Sequence, residues 1–502
     1  MHHRAHDSRG WGIDGRFPAV DDFERASMPD DLPAIVAIDL GAESCRVSLL
    51  KWDGRHPRIE LVHRFGNAPV ERTGGLYWNL DRVCEGLDDG LAQCAKLVDG
   101  QIASIGVDGW AVDYVRLNAN GVPLAAPHCY RDIRNEAAEE EVRKRISAEE
   151  IFSLTGVQPL RINTLYQLVA DGLAGVPQHA PWVNLPEYVL MRLGGDRIAE
   201  FSNATHTGLM DAKTQTWSKE IFERCEIDIT AAPANVSTGT GLGKIKGTLS
   251  QLNAFAGARL IAPCCHDTAS AVAGIPLHDD DWAYISSGTW SLVGTLLDHS
   301  VTSREAFQAG FTNLGAAGNQ ICFHKNVNGM WLLKQCLVQL CPDGDAWTVQ
   351  ELAAGAEALP APKDLLYVDA PELLLHGGMA SRINAQLERR GLAPIEEHAS
   401  AMPRYASLIF HSLAARYGEV LRNAAVLSGK NLKRVAIVGG GSLNQILNRL
   451  TSEATGLELV CGVAESSTVG NFAVQLAVLE GAGGSRERIA YWAGALTHMR
   501  EC

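Results

Sequence analysis

Ile35-Val36-Ala37-Ile38-Asp39-Leu40 is an apolar run that meets an acidic residue near its end. Gly41-Ala42-Glu43-Ser44 follows, and Cys45-Arg46-Val47-Ser48-Leu49-Leu50-Lys51-Trp52 leads straight away from it. Two β-rich runs separated by so short a turn predict an antiparallel hairpin, and IELVHRF at 59–65 predicts a third strand. Leu80, Val83, Leu87, Leu91, Cys94 and Val98 recur at intervals of three and four, as one face of a helix requires. SIGVDGWAVDYVRL (104–117) then reads as a buried strand, a short break and a second strand. Alternating strands and helices predict an α/β fold.

The opening pattern returns in the second half. AYISSGTWSLVGTLL (283–297) is again an apolar strand, a turn of small residues and a second strand. A helix is predicted over about 404–428, then the strand RVAIVGG. A glycine-rich turn leads into LNQILNRLTSEATG, ending at Gly456 where a left-handed cap belongs. LELVCG and SSTVGNFAVQLAVLEG supply one more strand and helix. Two α/β lobes built on one plan and meeting near 275–282 are expected, with a chance pair of hairpins as the alternative.

With 502 residues the chain exceeds one ordinary core, so two or three domains are expected. Lys+Arg 44 against Asp+Glu 58 gives a net charge of −14, which offers no basic stripe for nucleic acid. No apolar run approaches the roughly 20 residues that span a bilayer, and residues 1–27 lack the apolar core of a secretory signal. The 12 cysteines are scattered and form no CxxC pair, so the thiols are expected reduced and the protein cytoplasmic.

Five segments carry chemistry. Asp39 before Gly41-Ala42 sets a carboxylate beside free backbone N–H groups, a place for an anion and a metal ion or simply a turn. Ser286-Ser287-Gly288-Thr289 offers hydroxyls in a similar turn. Val438-Gly439-Gly440-Gly441-Ser442 lets a flat ligand or phosphate approach the main chain. It lacks the third glycine of a dinucleotide fingerprint, and GTGLGKIK (239–246) has the wrong spacing for a Walker loop. Cys265-His266-Asp267-Thr268 interrupts a small and apolar stretch; a carboxylate there suits a general base for phosphoryl transfer, or the N-cap of the next helix. Asp108-Gly109-Trp110-Ala111-Val112-Asp113 puts an indole beside two carboxylates, as a polyol pocket uses, and Asn326 is a further candidate ligand.

Taken in order, these segments resemble the FGGY family of carbohydrate kinases, most closely its rhamnulokinase branch, from about Ala34 to Leu479. YRDIR, TGVQPLRINTLYQL, SNATHTGLMD, CHDTASAV, SSGTWSLVG, HKNVNGMWLL, VGGGSLN and ESSTVGNFAVQL all have counterparts there. The resemblance implies two ribonuclease H-like lobes of the actin and hexokinase type with both substrates in the interlobe cleft. It implies an extension at 1–33, an N-terminal lobe at 34–276, a nucleotide-binding lobe at 281–485 and a tail at 486–502. Ala42, Glu43, Ser44, Cys45, Arg46, Thr289 and Gly440 would lie at ATP. His266, Asp267, Thr268 and Asn326 would contact sugar, Asp267 would accept the proton and Asp39 would serve Mg²⁺. The implied reaction converts L-rhamnulose and ATP to L-rhamnulose 1-phosphate and ADP, in a monomer or homodimer.

Three residues depart from that branch. Ala111 stands at a glycine that contacts substrate, Cys45 at a glycine of the phosphate loop, and Lys334 at a nucleotide-side glutamine. The first leaves L-fuculose or L-xylulose open as the sugar. A non-catalytic sensor of the same fold and an actin-like ATPase are the readings from other classes.

Overall fold

The computed structural model describes residues 33–52, 56–72, 74–277, 279–342, 347–497 and 500–501. The expected extension therefore lies, up to residue 32, outside the described residues.

In the N-terminal lobe β1 (Ala34–Leu40), β2 (Ser44–Trp52) and β3 (Pro57–Gly66) form an antiparallel meander. Helix α1 (Leu80–Lys96) follows, capped by the Asn79 side chain. It leads to β4 (Ile102–Gly109), which lies parallel to β1 and brings Asp108 level with Asp39. Helices α2 (Thr164–Leu173), α3 (Leu185–Arg192) and α4 (Phe201–His206) precede β5 (Thr240–Lys244) and β6 (Arg259–Ala262). The sheet order is β5-β6-β4-β1-β2-β3. β1 is buried from Ile35 to Leu40, as a central strand covered on both faces must be.

The short helix α5 (Asp267–Ala273) leads into the second lobe. There β7 (Trp282–Ser287), β8 (Trp290–Leu297) and β10 (Ile321–Asn328) pair antiparallel in turn, and β9 (Thr312–Gly315) pairs antiparallel with the outer side of β10. Helices α6 (Trp331–Leu340) and α7 (Met402–Ser428) follow. β11 (Arg434–Val438), α8 (Gln445–Thr455), β12 (Glu458–Cys461), α9 (Ser466–Leu479), α10 (Arg486–Leu496) and β13 (Arg500–Glu501) complete the chain. The order is β9-β10-β8-β7-β11-β12-β13, with β7, β11 and β12 parallel. Strands β3-β2-β1-β4-β6 and β10-β8-β7-β11-β12 thus repeat one arrangement, a meander and then two parallel strands.

Helix α8 ends at Gly456 with φ 69°, the left-handed cap read from the sequence. Helix α9 departs from any simple split of the chain. Its Phe472, Ala473 and Leu476 pack with Ile35, Ala37 and Leu50 of the first lobe, and with Ile489 and Trp492 of α10. Among the described residues no helix is long and apolar enough to cross a membrane. The cysteines from Cys45 to Cys341 are free.

Candidate active site

Three carboxylates converge where the first lobe's parallel strands end. Asp39 closes β1 and Asp108 lies level with it on β4. Asp267 follows β6 as the first residue of α5, with His266 at the N-cap. Backbone bonds lock the three chains together: Gly109 N–H donates to Cys265 O at 3.0 Å, and Trp110 N–H to Leu40 O at 3.0 Å. Of the two residue-level readings of Asp267, the N-cap falls to His266.

Each carboxylate has a distinct setting. Asp39 accepts from Arg46 Nη1 at 2.7 Å and from Ser467 Oγ of α9 at 3.2 Å. Burial, opposed by Arg46 and reinforced by the Asp267 charge, pushes its pKa up to about 6. Asp108 is fully buried and accepts from Asn471 Nδ2 of α9 at 2.6 Å, while its Oδ1 has no partner among the described residues. Burial and then the Asp39 charge hold it well above the ordinary carboxylate range. Asp267 Oδ1 accepts from Thr268 N at 2.5 Å and from Thr268 Oγ1 at 3.2 Å. No described residue donates to its Oδ2. The side chain is 40% exposed, and desolvation by the surrounding protein lifts its pKa to about 6.

A buried network supports this loop from behind. Glu200, at the N-cap of α4, accepts from Cys265 N at 2.9 Å, Ser202 N at 3.0 Å and Thr238 Oγ1 at 2.5 Å. Ser202 Oγ in turn accepts from His266 N at 3.2 Å. The His266 ring is buried, with Nδ1 3.2 Å from His206 Nε2 and Nε2 3.2 Å from Asp267 Oδ1. Desolvation lowers its pKa to about 3, so the imidazole is neutral at physiological pH.

The other expected ligands fall on two facing surfaces. Ala42 and Glu43 lie in the β1–β2 turn, and Ser44 and Arg46 stand on β2. The Cys45 side chain is wholly buried, leaving only its main chain for a ligand. Across the cleft Thr289 and Gly440 are exposed at the ends of the neighbouring strands β7 and β11. There Gly439 has φ 81°, and a Cβ on it would stand 2.7 Å from Ser287 O, so only glycine fits so close an approach. Lys334 Nζ lies 3.6 Å from Glu43 Oε2, and Arg46 Nη1 lies 3.6 Å from Glu465 Oε2. Side chains of the β1–β2 segment therefore approach the second half of the chain. Asn326 is exposed on β10, level with Leu292 of β8, which is level with Ser286 of β7; these residues share one sheet face.

The polyol reading of the second carboxylate in the 108–113 segment needs correction. Asp113 is fully buried, and its Oδ2 accepts from Trp78 Nε1 at 2.6 Å and Trp110 Nε1 at 2.9 Å. Gln167 Nε2 donates to its Oδ1 at 3.1 Å. That carboxylate is consumed in structure, as is the indole N–H. Sequence reasoning missed Ser467 and Asn471, which α9 delivers to Asp39 and Asp108. Their spacing of four in ESSTVGNFAVQL, continued by Gln475, was the available signal.

The cleft accords with comparisons to known proteins. Residues 34–274 match the family model of the N-terminal domain of FGGY carbohydrate kinases, and residues 283–479 match that of the C-terminal domain. The chain belongs to the FGGY family of carbohydrate kinases. It is a sugar kinase, a phosphotransferase for which the family implies ATP as donor. The rhamnulokinase of Enterococcus faecalis is 34% identical over 88% of this chain and 88% of its own. That of Bacteroides thetaiotaomicron is 31% identical over 93% and 98%. Among solved structures, a ligand-bound xylulose kinase from Lactobacillus acidophilus superposes with a TM-score of 0.75 at 18% identity, covering 93% of both chains. Glycerol kinase of Plasmodium falciparum gives 0.68 at 14% identity, covering 89% and 90%. This structural likeness carries the two-lobed fold.

Proposed function

We propose that this kinase transfers the γ-phosphoryl group of ATP to the 1-hydroxyl of a ketose, with L-rhamnulose the first candidate and Asp267 the base. The observation that carries the reading is the state of the Asp267 carboxylate. Its Oδ1 accepts from Thr268 N and Oγ1, and its Oδ2, to which no described residue donates, is left to meet a substrate hydroxyl. The 31–34% identity to rhamnulokinases over most of the chain supports L-rhamnulose.

In this reading a sugar hydroxyl donates to Asp267 Oδ2 and gives up its proton as the γ-phosphoryl arrives in line. Arg46 stands beside Asp39 to meet phosphate oxygens, and the Gly439–Gly441 turn lets a nucleotide lie against the main chain. Closure of the lobes on the sugar excludes water, so that the phosphoryl group meets the alcohol.

Asp39 and the unpartnered Asp108 Oδ1 suit Mg²⁺. They are hard oxygen donors whose ionisation is opposed by burial, offset by Arg46 at Asp39 and reinforced by the Asp39 charge at Asp108. They would hold the ion, directly or through water, and it would neutralise charge on the phosphate oxygens.

The base must be ionised to work, so kcat/KM is expected to fall about tenfold per pH unit below an acid limb near 6. Stability runs the opposite way. The folded pKa of Asp267 lies above its ordinary value of 3.8, so its stabilising contribution is full below 3.8 and lost as pH rises through about 6. A pH–rate profile with its acid limb near 4 would contradict the first statement.

Coupled ADP release with L-rhamnulose, L-fuculose and L-xylulose tests the sugar. L-rhamnulose is expected to give the highest kcat/KM. A clear preference for either of the others would reassign the substrate, and silence with all three would favour a sensor.

A further inference from the structure

Where the chain leaves β4 for the cleft it adopts a backbone shape that its sequence resists. Val112 has φ 72°, in the left-handed region that a β-branched residue almost never enters. Such a conformation persists only when its surroundings over-determine it, and it concentrates at functional sites. The surroundings here are specific. Val112 O accepts from Thr164 Oγ1 at 2.7 Å and from Gln167 Nε2 at 3.1 Å, and both donors are buried on the first turn of α2. Gln167 also reaches Asp113 Oδ1, while Trp78 and Trp110 hold Oδ2. The turn is thus gripped at two successive residues.

Its place gives the grip a purpose. In the sheet β4 lies between β1, which carries Asp39, and β6, which leads to Asp267. Residues 109 and 110 are bonded to both neighbours. The strained turn therefore starts within two residues of the backbone bonds that tie β4 to β1 and to Cys265, two residues before Asp267, and the β1–β2 turn lies beyond Asp39. Neither donor has a described route to ATP.

We propose that Thr164 and Gln167 are positioning residues for the sugar: by holding Val112 in its left-handed turn they fix the floor on which the ketose rests against Asp267. This rests on the reading of Asp267 as the base beside the sugar. Loss of one donor lets the turn relax toward ordinary φ and shifts that floor, while the phosphate loops stay in place.

The test compares Thr164→Val, which removes the donor and keeps the shape, with Thr164→Ser, which keeps the donor. Ketose affinity is read by tryptophan fluorescence, since the Trp78 and Trp110 rings lie 4.6 Å apart against this turn. KM for ketose and for ATP is read by turnover, using the sugar of highest kcat/KM in the panel above. Thr164→Val is expected to weaken ketose binding and raise its KM about tenfold, with KM for ATP unchanged, and Thr164→Ser to stay within about twofold of wild type. Gln167→Met, which removes the other donor, is expected to match Thr164→Val and replaces it should that variant not fold. Unchanged ketose affinity in Thr164→Val, equal changes for both substrates, or a Thr164→Ser as poor as Thr164→Val would overturn the proposal. Asp267→Asn separates it from the reading beneath it. If that variant keeps turnover the base assignment fails while the affinity comparison stands; if the wild type binds none of the ketoses, both fall.

Discussion

Asp267→Asn is expected to bind ATP with near wild-type affinity and to lose at least about 10³-fold in turnover. The substitution preserves shape and leaves Oδ1 able to accept from Thr268 N and Oγ1, as the carboxylate does. What changes is the atom aimed at the sugar, where an amide N–H₂ replaces the basic oxygen and no proton acceptor remains. ATP is expected to meet the β1–β2 turn, the β7–β8 turn and the Gly439–Gly441 turn, none of which touches this side chain. Equilibrium nucleotide binding and steady-state turnover measured on one preparation check both halves. Turnover above about a tenth of wild type would remove Asp267 from its role.

Gly470→Ala is expected to be among the most damaging single-methyl changes in the molecule. A Cβ at Gly470 would stand 1.8 Å from Ser270 O and 2.8 Å from Gly274 N, so α9 and α5 meet backbone to backbone. Ser270 Oγ donates to Ser467 O at 3.0 Å and Ser466 Oγ to Ala271 O at 2.7 Å, which pins the crossing on both sides. No flexible side chain is present to yield, so one helix must move, and overpacking of this kind costs about 3 kcal/mol or more. Because α5 begins with Asp267, and α9 carries Ser467 and Asn471 to the other two carboxylates, activity should fall with stability. The unfolding midpoint is expected to drop by several degrees. A variant that unfolds within a degree of wild type would mean that the helices do not cross this closely.

The contrast between these two sites indicates what the amino-acid pattern discloses. Asp39, Asp267 and the Gly439–Gly441 turn were legible because each sits where an apolar strand gives way to polar or small residues, and that change of chemistry is local. The hairpins at 35–52 and 283–297 and the Gly456 cap were legible for the same reason. Helix α9 was not. Its residues are buried almost all round, so no amphipathic face indicates that it lies on the other lobe's sheet, more than 360 residues away in the chain at the Asn471–Asp108 contact. Asp113 misled because its partners, Trp78 and Gln167, approach from distant segments and consume a carboxylate that looks available in DGWAVDY. Val112 gave no sign at all, since a valine is the residue least expected at positive φ.

Phosphoryl transfer to the first carbon of a ketose is read most directly by proton-coupled ³¹P NMR of the reaction with ATP, Mg²⁺ and the best ketose. The predicted spectrum gains one phosphomonoester signal, split by the two protons of the C1 methylene, in step with ADP. Growth of ADP and inorganic phosphate alone, or of a phosphate coupled to a single ring proton, would contradict the account.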